Sequence, residues 1–211
     1  MELSEIYKSL FENSHSIMLI INPDTGDIED ANHAASNYYG YTKDEITSMN
    51  ITDINTLSKE EVFEEMSWAK DEQRNFFNFR HRLSNGKIRD VEVHSGPIDI
   101  KGKELLYSII HDVTEKKQTE DALRYSENFL KSIVDNEPEC VKLLDSDGRL
   151  VTMNPSGLRM IEADSLEQVK GQKVQNIVAP EYRDAFKALV KKVTNGEKGK
   201  LEFRITGLKG T

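Results

Sequence analysis

Hydrophobic positions along this chain follow two alternating periods, one helical and one extended, and the whole order of elements occurs twice. Leu3, Ile6, Tyr7, Leu10 and Phe11 recur at three- and four-residue spacing, which predicts an amphipathic lead-in helix over 1–13. Ile17-Met18-Leu19-Ile20-Ile21 is a continuous apolar run with the length of a buried strand. Asn22 to Gly26 is turn chemistry, with Gly26 supplying a positive φ, and 27–30 returns as the second strand of that hairpin. Asn32 stands where a helix N-cap belongs, ahead of His33-Ala34-Ala35-Ser36 and the tyrosines Tyr38, Tyr39 and Tyr41. Thr42-Lys43-Asp44-Glu45 resembles a capping box lacking its ideal last residue. Ser58-Lys59-Glu60-Glu61 is a clearer one and opens a helix over 58–72 with Val62, Met66 and Ala69 on one face.

Alternation then takes over. Over 76–83 the inward set is Phe77, Phe79, His81 and Leu83, with Arg80 and Arg82 outward. Asn85-Gly86 predicts a tight hairpin with positive φ at both central positions. Over 88–96 Val91 and Val93 fall on the core side, Gly102 marks a turn, and 105–111 is the last strand. Asp112 is predicted to cap the next helix, with Glu115 three residues on completing the box. That helix runs to about 135 without Pro or Gly. Leu123 and Leu130 are seven apart and Ile133 follows at heptad-compatible spacing, so it is expected to pack against a partner.

The order restarts about 123 residues later. A strand over 141–144, the turn Ser146-Asp147-Gly148, a strand over 149–153 and the cap Asn154 with Pro155 at N1 repeat the first hairpin. A helix over 180–192 and a strand through Leu201, Phe203 and Ile205 follow. Asn32 matches Asn154, Gly26 matches Gly148, Phe63 matches Phe186, and Phe79-Arg80 matches Phe203-Arg204. A period this long is a repeated domain, since solenoid units recur every 20–50 residues or so. The chain stops where the first copy reaches Lys87, so the second copy is expected to lack its last two strands, in a piece of a longer protein.

Three features together resemble tandem PAS sensor domains over nearly the whole chain. They are the Asp/Gly hairpins before Asn32 and Asn154, Phe79-Arg80-His81-Arg82 leading into Asn85-Gly86, and the closing Ile109-Ile110-His111-Asp112-Val113-Thr114-Glu115. The resemblance implies an α+β fold: a five-stranded antiparallel sheet in spatial order 2-1-5-4-3 with helices on one face. It implies a first domain over 1–113, a signalling linker helix over 114–135 and an incomplete second domain over 136–211. It further implies a non-catalytic sensory input for a prokaryotic signalling protein, with an output kinase domain in cis, that of a histidine kinase feeding a phosphorelay. A homodimer through the N-terminal helix (Leu3 to Phe11) and the linker helix is expected with it. Asp112, Thr114 and Glu115 would then transfer signal from sheet to helix, where a plain helix cap is the competing reading. The sensor of a diguanylate cyclase and a ligand-free dimerisation spacer stay open.

Composition narrows the class. The net charge of −9 argues against a nucleic-acid surface. No apolar run reaches the roughly 18–20 residues of a membrane span, and no signal-peptide pattern starts the chain. A single cysteine, Cys140, fits a reducing compartment, so a cytoplasmic protein is expected. Tyr38, Tyr39, Tyr41, Trp68, Phe77 and Phe79 with the inward His81 make a candidate small-molecule pocket, set against ordinary core packing. His81 could hydrogen-bond a ligand or sense pH. The family resemblance raises flavin and haem, and the residues argue against both. A photoadduct needs a cysteine in a short helix, whereas Cys140 begins a strand. Haem-binding members use a histidine on the long helix, and neither 58–72 nor 180–192 contains one. The five histidines show no metal-ligand spacing. No phosphate loop, Ser/His/Asp set or carboxylate pair stands out, so no catalytic residue is assigned. Arg80, Arg82 and Arg89 are expected on a solvated outer face.

Overall fold

The computed structural model describes residues 3–210, with side chains from Lys8 onward. Leu3, Ile6 and Tyr7, expected on the apolar face of the first helix, have their side chains outside the described residues. The chain divides into two compact units, Met1–Asp121 and Ala122–Thr211.

The first unit begins with helix α1 (Leu3–Glu12) and the hairpin β1 (Ile17–Ile21) and β2 (Ile28–Ala31). Four helices follow: α2 (His33–Tyr39), α3 (Lys43–Ile46), α4 (Ile51–Ile54) and α5 (Lys59–Lys70). Strands β3 (Phe76–Arg82), β4 (Ile88–Ile100) and β5 (Lys103–Asp112) complete it. The sheet order is β2-β1-β5-β4-β3, antiparallel throughout. The strand period of two assigns each side chain to a face. Leu19 and Ile21 of β1 join the helix-covered core with Tyr39, Ile46, Ile54, Val62 and Met66. Ile20 points the other way and packs with Phe11 of α1 and Leu105. Each fully buried Leu, Ile or Phe stabilises the fold by about 1.5–3 kcal/mol, so both faces of β1 contribute.

The short helices are held by caps more than by length. Thr42 and Glu45 form a complete capping box, as do Ser58 and Glu61, each cap contributing about 1 kcal/mol. The expected deficiency at Glu45 is therefore corrected, because Glu at N3 is the residue the box requires. The β3–β4 hairpin also differs from expectation. Only Gly86 of the pair has positive φ, at 79°. Leu83 and Lys87 close a three-residue loop whose glycine takes the left-handed position, while Asn85 Oδ1 accepts from the Lys87 N–H at 3.0 Å.

Helix α6 (Thr114–Asn136) leaves the first unit and runs into the second. The second unit holds the hairpin β6 (Lys142–Leu144) and β7 (Leu150–Met153), then helices α7 (Pro155–Met160), α8 (Leu166–Val169) and α9 (Arg183–Thr194). A 3-10 turn over Pro180–Tyr182 precedes α9, so the helix expected from 180 starts three residues later. Its core gathers Leu150, Met153, Ile161, Val178 and Phe186. The strand expected through Leu201, Phe203 and Ile205 does not form. That segment makes one bridge, Val178 to Ile205, and a strand requires a continuous ladder. The same bridge exists in the first unit between Asn55 and His81.

The repeat is visible at atomic level in two asparagines. Asn32 Oδ1 accepts from the Ala35 and Met18 N–H groups, and its Nδ2 reaches the carbonyls of Phe11, Ser14 and Ser16. Asn154 Oδ1 accepts from Gly157 and Val141, and its Nδ2 reaches Val134, Glu137 and Glu139. Each caps one helix while tying down the carbonyl end of the helix that enters its unit.

Candidate functional site

The covered face of the first sheet and helix α5 line a cavity of about 40 Å³. Its walls are largely aliphatic, including Leu19, Ile21, Val62, Met66, Val93 and Ile110, because alternating positions of four strands point inward here. Along β3 the alternation also stacks three rings: Phe77 on Phe79 at 5.7 Å between centroids and Phe79 on His81 at 6.0 Å.

His81 is 2% exposed. Burial alone pushes its imidazole pKa down to about 3 from 6.5, so the ring is neutral at ordinary pH. Its Nδ1 lies 2.8 Å from the Tyr39 hydroxyl, itself fully buried on α2. Its Nε2 has no hydrogen-bond partner. Glu65 Oε2 also lacks a hydrogen bond, though it meets the charge of Arg74. Ser95 donates to the Tyr107 carbonyl and shares a bond with Ser108, each at 3.0 Å. Asn55 accepts from the Leu57 N–H, and the Glu65 carboxylate is ion-paired with Arg74.

Tyr38, one residue before Tyr39, faces the other way. Its hydroxyl donates to Asp112 Oδ2 at 2.9 Å, at the junction of β5 and α6. Burial first, then this bond to a carboxylate, raise the phenol's pKa. Burial works to raise the Asp112 pKa, but bonds from Thr114 and Tyr38 and the charge of Arg89 at 3.9 Å outweigh it and hold the carboxyl below its ordinary range. Thr114 links sheet to helix: its Oγ1 accepts from the Asp90 N–H at 2.9 Å, and its own N–H donates to Asp112 Oδ1 at 2.8 Å. Lys117 reaches Asp90 at 3.3 Å.

The structure separates the expected pocket residues. Phe77, Phe79 and His81 line the cavity. Tyr39 holds His81 from behind, Tyr38 serves the junction, and Trp68 is 38% exposed with Arg74 stacked 4.5 Å from its ring. Trp68 faces outward because the 3.6-residue period places it off the buried Val62-Met66-Ala69 face of α5. Asp112 does not cap α6 in the expected way. The helix starts at Thr114, and Asp112 accepts from the N–H two residues on, an Asx-turn spacing. Glu115 is exposed in the first turn of α6. Arg89, expected on a solvated face, turns toward Asp112. Phe11, expected at a dimer interface, is 4% exposed against its own sheet. The roles of Asn55, Ser95 and Ser108 had no local signal, since none belongs to a pattern of spacing.

The cavity as it stands is smaller than a haem or a flavin, and no cysteine lines it. Cys140 packs instead against the core of the second unit. Among the described residues no group of three or more His, Cys, Asp or Glu could hold a metal ion, and no helix is long and apolar enough to cross a membrane.

Two family descriptions match the chain, PAS domain over residues 15–115 and PAS fold over residues 134–202. Diguanylate cyclase DgcM of Escherichia coli is 35% identical over 123 residues, covering 57% of this chain and 30% of the cyclase. Sporulation kinase E of Bacillus subtilis is 20% identical over 215 residues, covering 94% of this chain and 28% of the kinase. The chain thus spans less than a third of either relative. Among solved structures, the PAS domain of an HTR-like protein from Haloarcula marismortui is 26% identical with a TM-score of 0.47, covering 52% of this chain and 90% of that one.

Proposed function

We propose, for a chain that belongs to the PAS family in each of its two halves, that it is the sensory and regulatory input of a cytoplasmic signalling protein. A small-molecule ligand or a partner shifts the first unit between two states, and α6 carries the shift to an output domain in cis. A ligand acts here only through its differential affinity for the two states.

The observation that carries this reading is the Tyr38-Tyr39 pair. Consecutive helical residues project about 100° apart, so one phenol reaches the cavity histidine while its neighbour reaches the carboxylate at the start of α6. A displacement of α2 by a cavity ligand is thereby a displacement at Asp112. A cavity with an unpartnered His81 Nε2 also favours ligand binding over a spacer filled by its own side chains.

Helix α6 supports dimerisation as part of the mechanism. Leu123, Leu130 and Ile133 are 60%, 58% and 51% exposed, an apolar stripe at coiled-coil spacing. A histidine kinase output is the reading the family resemblance implies, and the kinase relative that aligns along most of the chain supports it. The 35% identical cyclase supports a second reading, a diguanylate cyclase output.

The test is to fill the cavity and watch the helix. Native mass spectrometry of the purified chain first reports any bound non-protein mass. Ala69→Leu then mimics occupancy, and amide exchange at 114–118 should change by at least about tenfold, roughly the effect of a 1.4 kcal/mol shift in a local opening equilibrium. Unchanged exchange in a folded variant, with no bound mass, would favour the spacer.

A further inference from the structure

Two polar atoms on the cavity wall lack a hydrogen bond, Glu65 Oε2, which meets the Arg74 guanidinium, and His81 Nε2, which meets no charge, and the neighbours of His81 fix its tautomer. If Nδ1–H donated to Tyr39, the buried tyrosine proton would have no acceptor and Nε2 would be a second unmet group. If Tyr39 donates to Nδ1, the phenol proton is satisfied and a single Nε2–H is left over. The second arrangement leaves fewer buried groups unmet, so it prevails. Nε2 is then a fixed donor on a residue that lines a largely apolar space.

Charge narrows the class further. The cavity wall also carries the Glu65 carboxylate, whose counter-charge is the Arg74 guanidinium. An anion would meet that carboxylate and lose its hydration in an apolar space, and a cation would find the carboxylate already paired. Room for one water takes about 10–15 Å³, so about 40 Å³ admits a compact molecule of a few non-hydrogen atoms.

We infer that this cavity takes a small, uncharged, mainly apolar molecule with one hydrogen-bond acceptor, which receives the Nε2–H of His81. The assignment rests on reading the first unit as a ligand sensor and names the chemistry that sensor would recognise.

Three molecules of one planar shape test it on the unmodified chain. Acetone carries a neutral acceptor, isobutene lacks the acceptor, and acetate adds charge. The readout is the His81 ring nitrogen pair in 15N-labelled protein, with methyl resonances of Met66 and Val62 reporting occupancy. Acetone should shift Nε2 and bind about tenfold more tightly than isobutene, the difference one hydrogen bond makes. Acetate should leave both sets of signals unmoved. Tyr39→Phe, which frees the tautomer, should shrink the acetone preference. Equal binding of acetone and isobutene, or a larger Nε2 shift with acetate, overturns the ligand class while the pocket remains a sensor site. If none of the three moves the methyls, the class and the sensor reading of this cavity fall together.

Discussion

Tyr38 donates to Asp112 Oδ2 at 2.9 Å across 74 positions of chain, joining the second helix of the first unit to the last residue of its sheet. The bond shares its acceptor carboxylate with the Thr114 N–H, so one side chain serves both the helix that touches the cavity wall and the helix that leaves the domain. Losing either donor alters the other's partner.

Tyr38→Phe removes that bond and little else, since the ring still packs edge-on against Tyr39 at 5.0 Å. A hydrogen bond to a charged acceptor contributes about 1.5–3 kcal/mol, and partial exposure places this one near the lower end. Amide exchange over 114–117 should quicken, while exchange in β1 and β2 changes little. Equal acceleration everywhere would mean the phenol stabilises the domain without favouring the junction.

Thr114→Val leaves the Asp90 N–H without its acceptor at 2.9 Å. The cost should be about 1 kcal/mol, the low end for an unmet donor because Asp90 is half-buried, read as a lower urea midpoint for the first unit. Thr114→Ser keeps the hydroxyl and should recover most of it. A serine variant as weak as the valine one would place the effect in the methyl group's packing.

Asn32→Asp keeps the acceptor that caps α2 and abolishes the three contacts from Nδ2. It also places a carboxylate at a position with no exposed surface, facing carbonyl oxygens. A loss of about 3 kcal/mol or more follows. Asn154→Asp should do the same to the second unit, where the freed end of α6 would fray from Val134 onward. Denaturant unfolding followed by domain-specific resonances separates the two, and a mild effect at either site would contradict the tie.

His81 makes stability depend on pH. Its folded pKa is about 3 against 6.5 in an open chain, so the unfolded state takes up a proton over that interval and the folded state does not. The stabilisation is complete above about 6.5 and falls as pH drops toward 3, by about 1.4 kcal/mol per unit. Between pH 7.5 and 5 the first unit should lose about 2 kcal/mol. His81→Phe should flatten that part of the profile, and a slope that survives the substitution would assign it to other groups.

Much of this protein was legible in its sequence because the determinants were local. Period-two alternation placed Phe77, Phe79, His81, Val91 and Val93 on the inner face, and all but the half-buried Phe79 are buried there. Asn32 and Asn154 announced themselves as caps by position, and the repeat followed from their spacing. Backbone sterics and hydrogen bonding within a few residues decide such features. Tertiary structure alone decided the rest. That Tyr38 serves Asp112 while Tyr39 serves His81, that Arg89 turns to the junction, and that one imidazole nitrogen is left unmet all depend on which strands become neighbours. The segment through Leu201, Phe203 and Ile205 has the alternation of a strand but makes one bridge. Alternation records which face is apolar, whereas a ladder also needs a hydrogen-bonding partner, which β4 supplies to β3 in the first unit and no strand among the described residues supplies here.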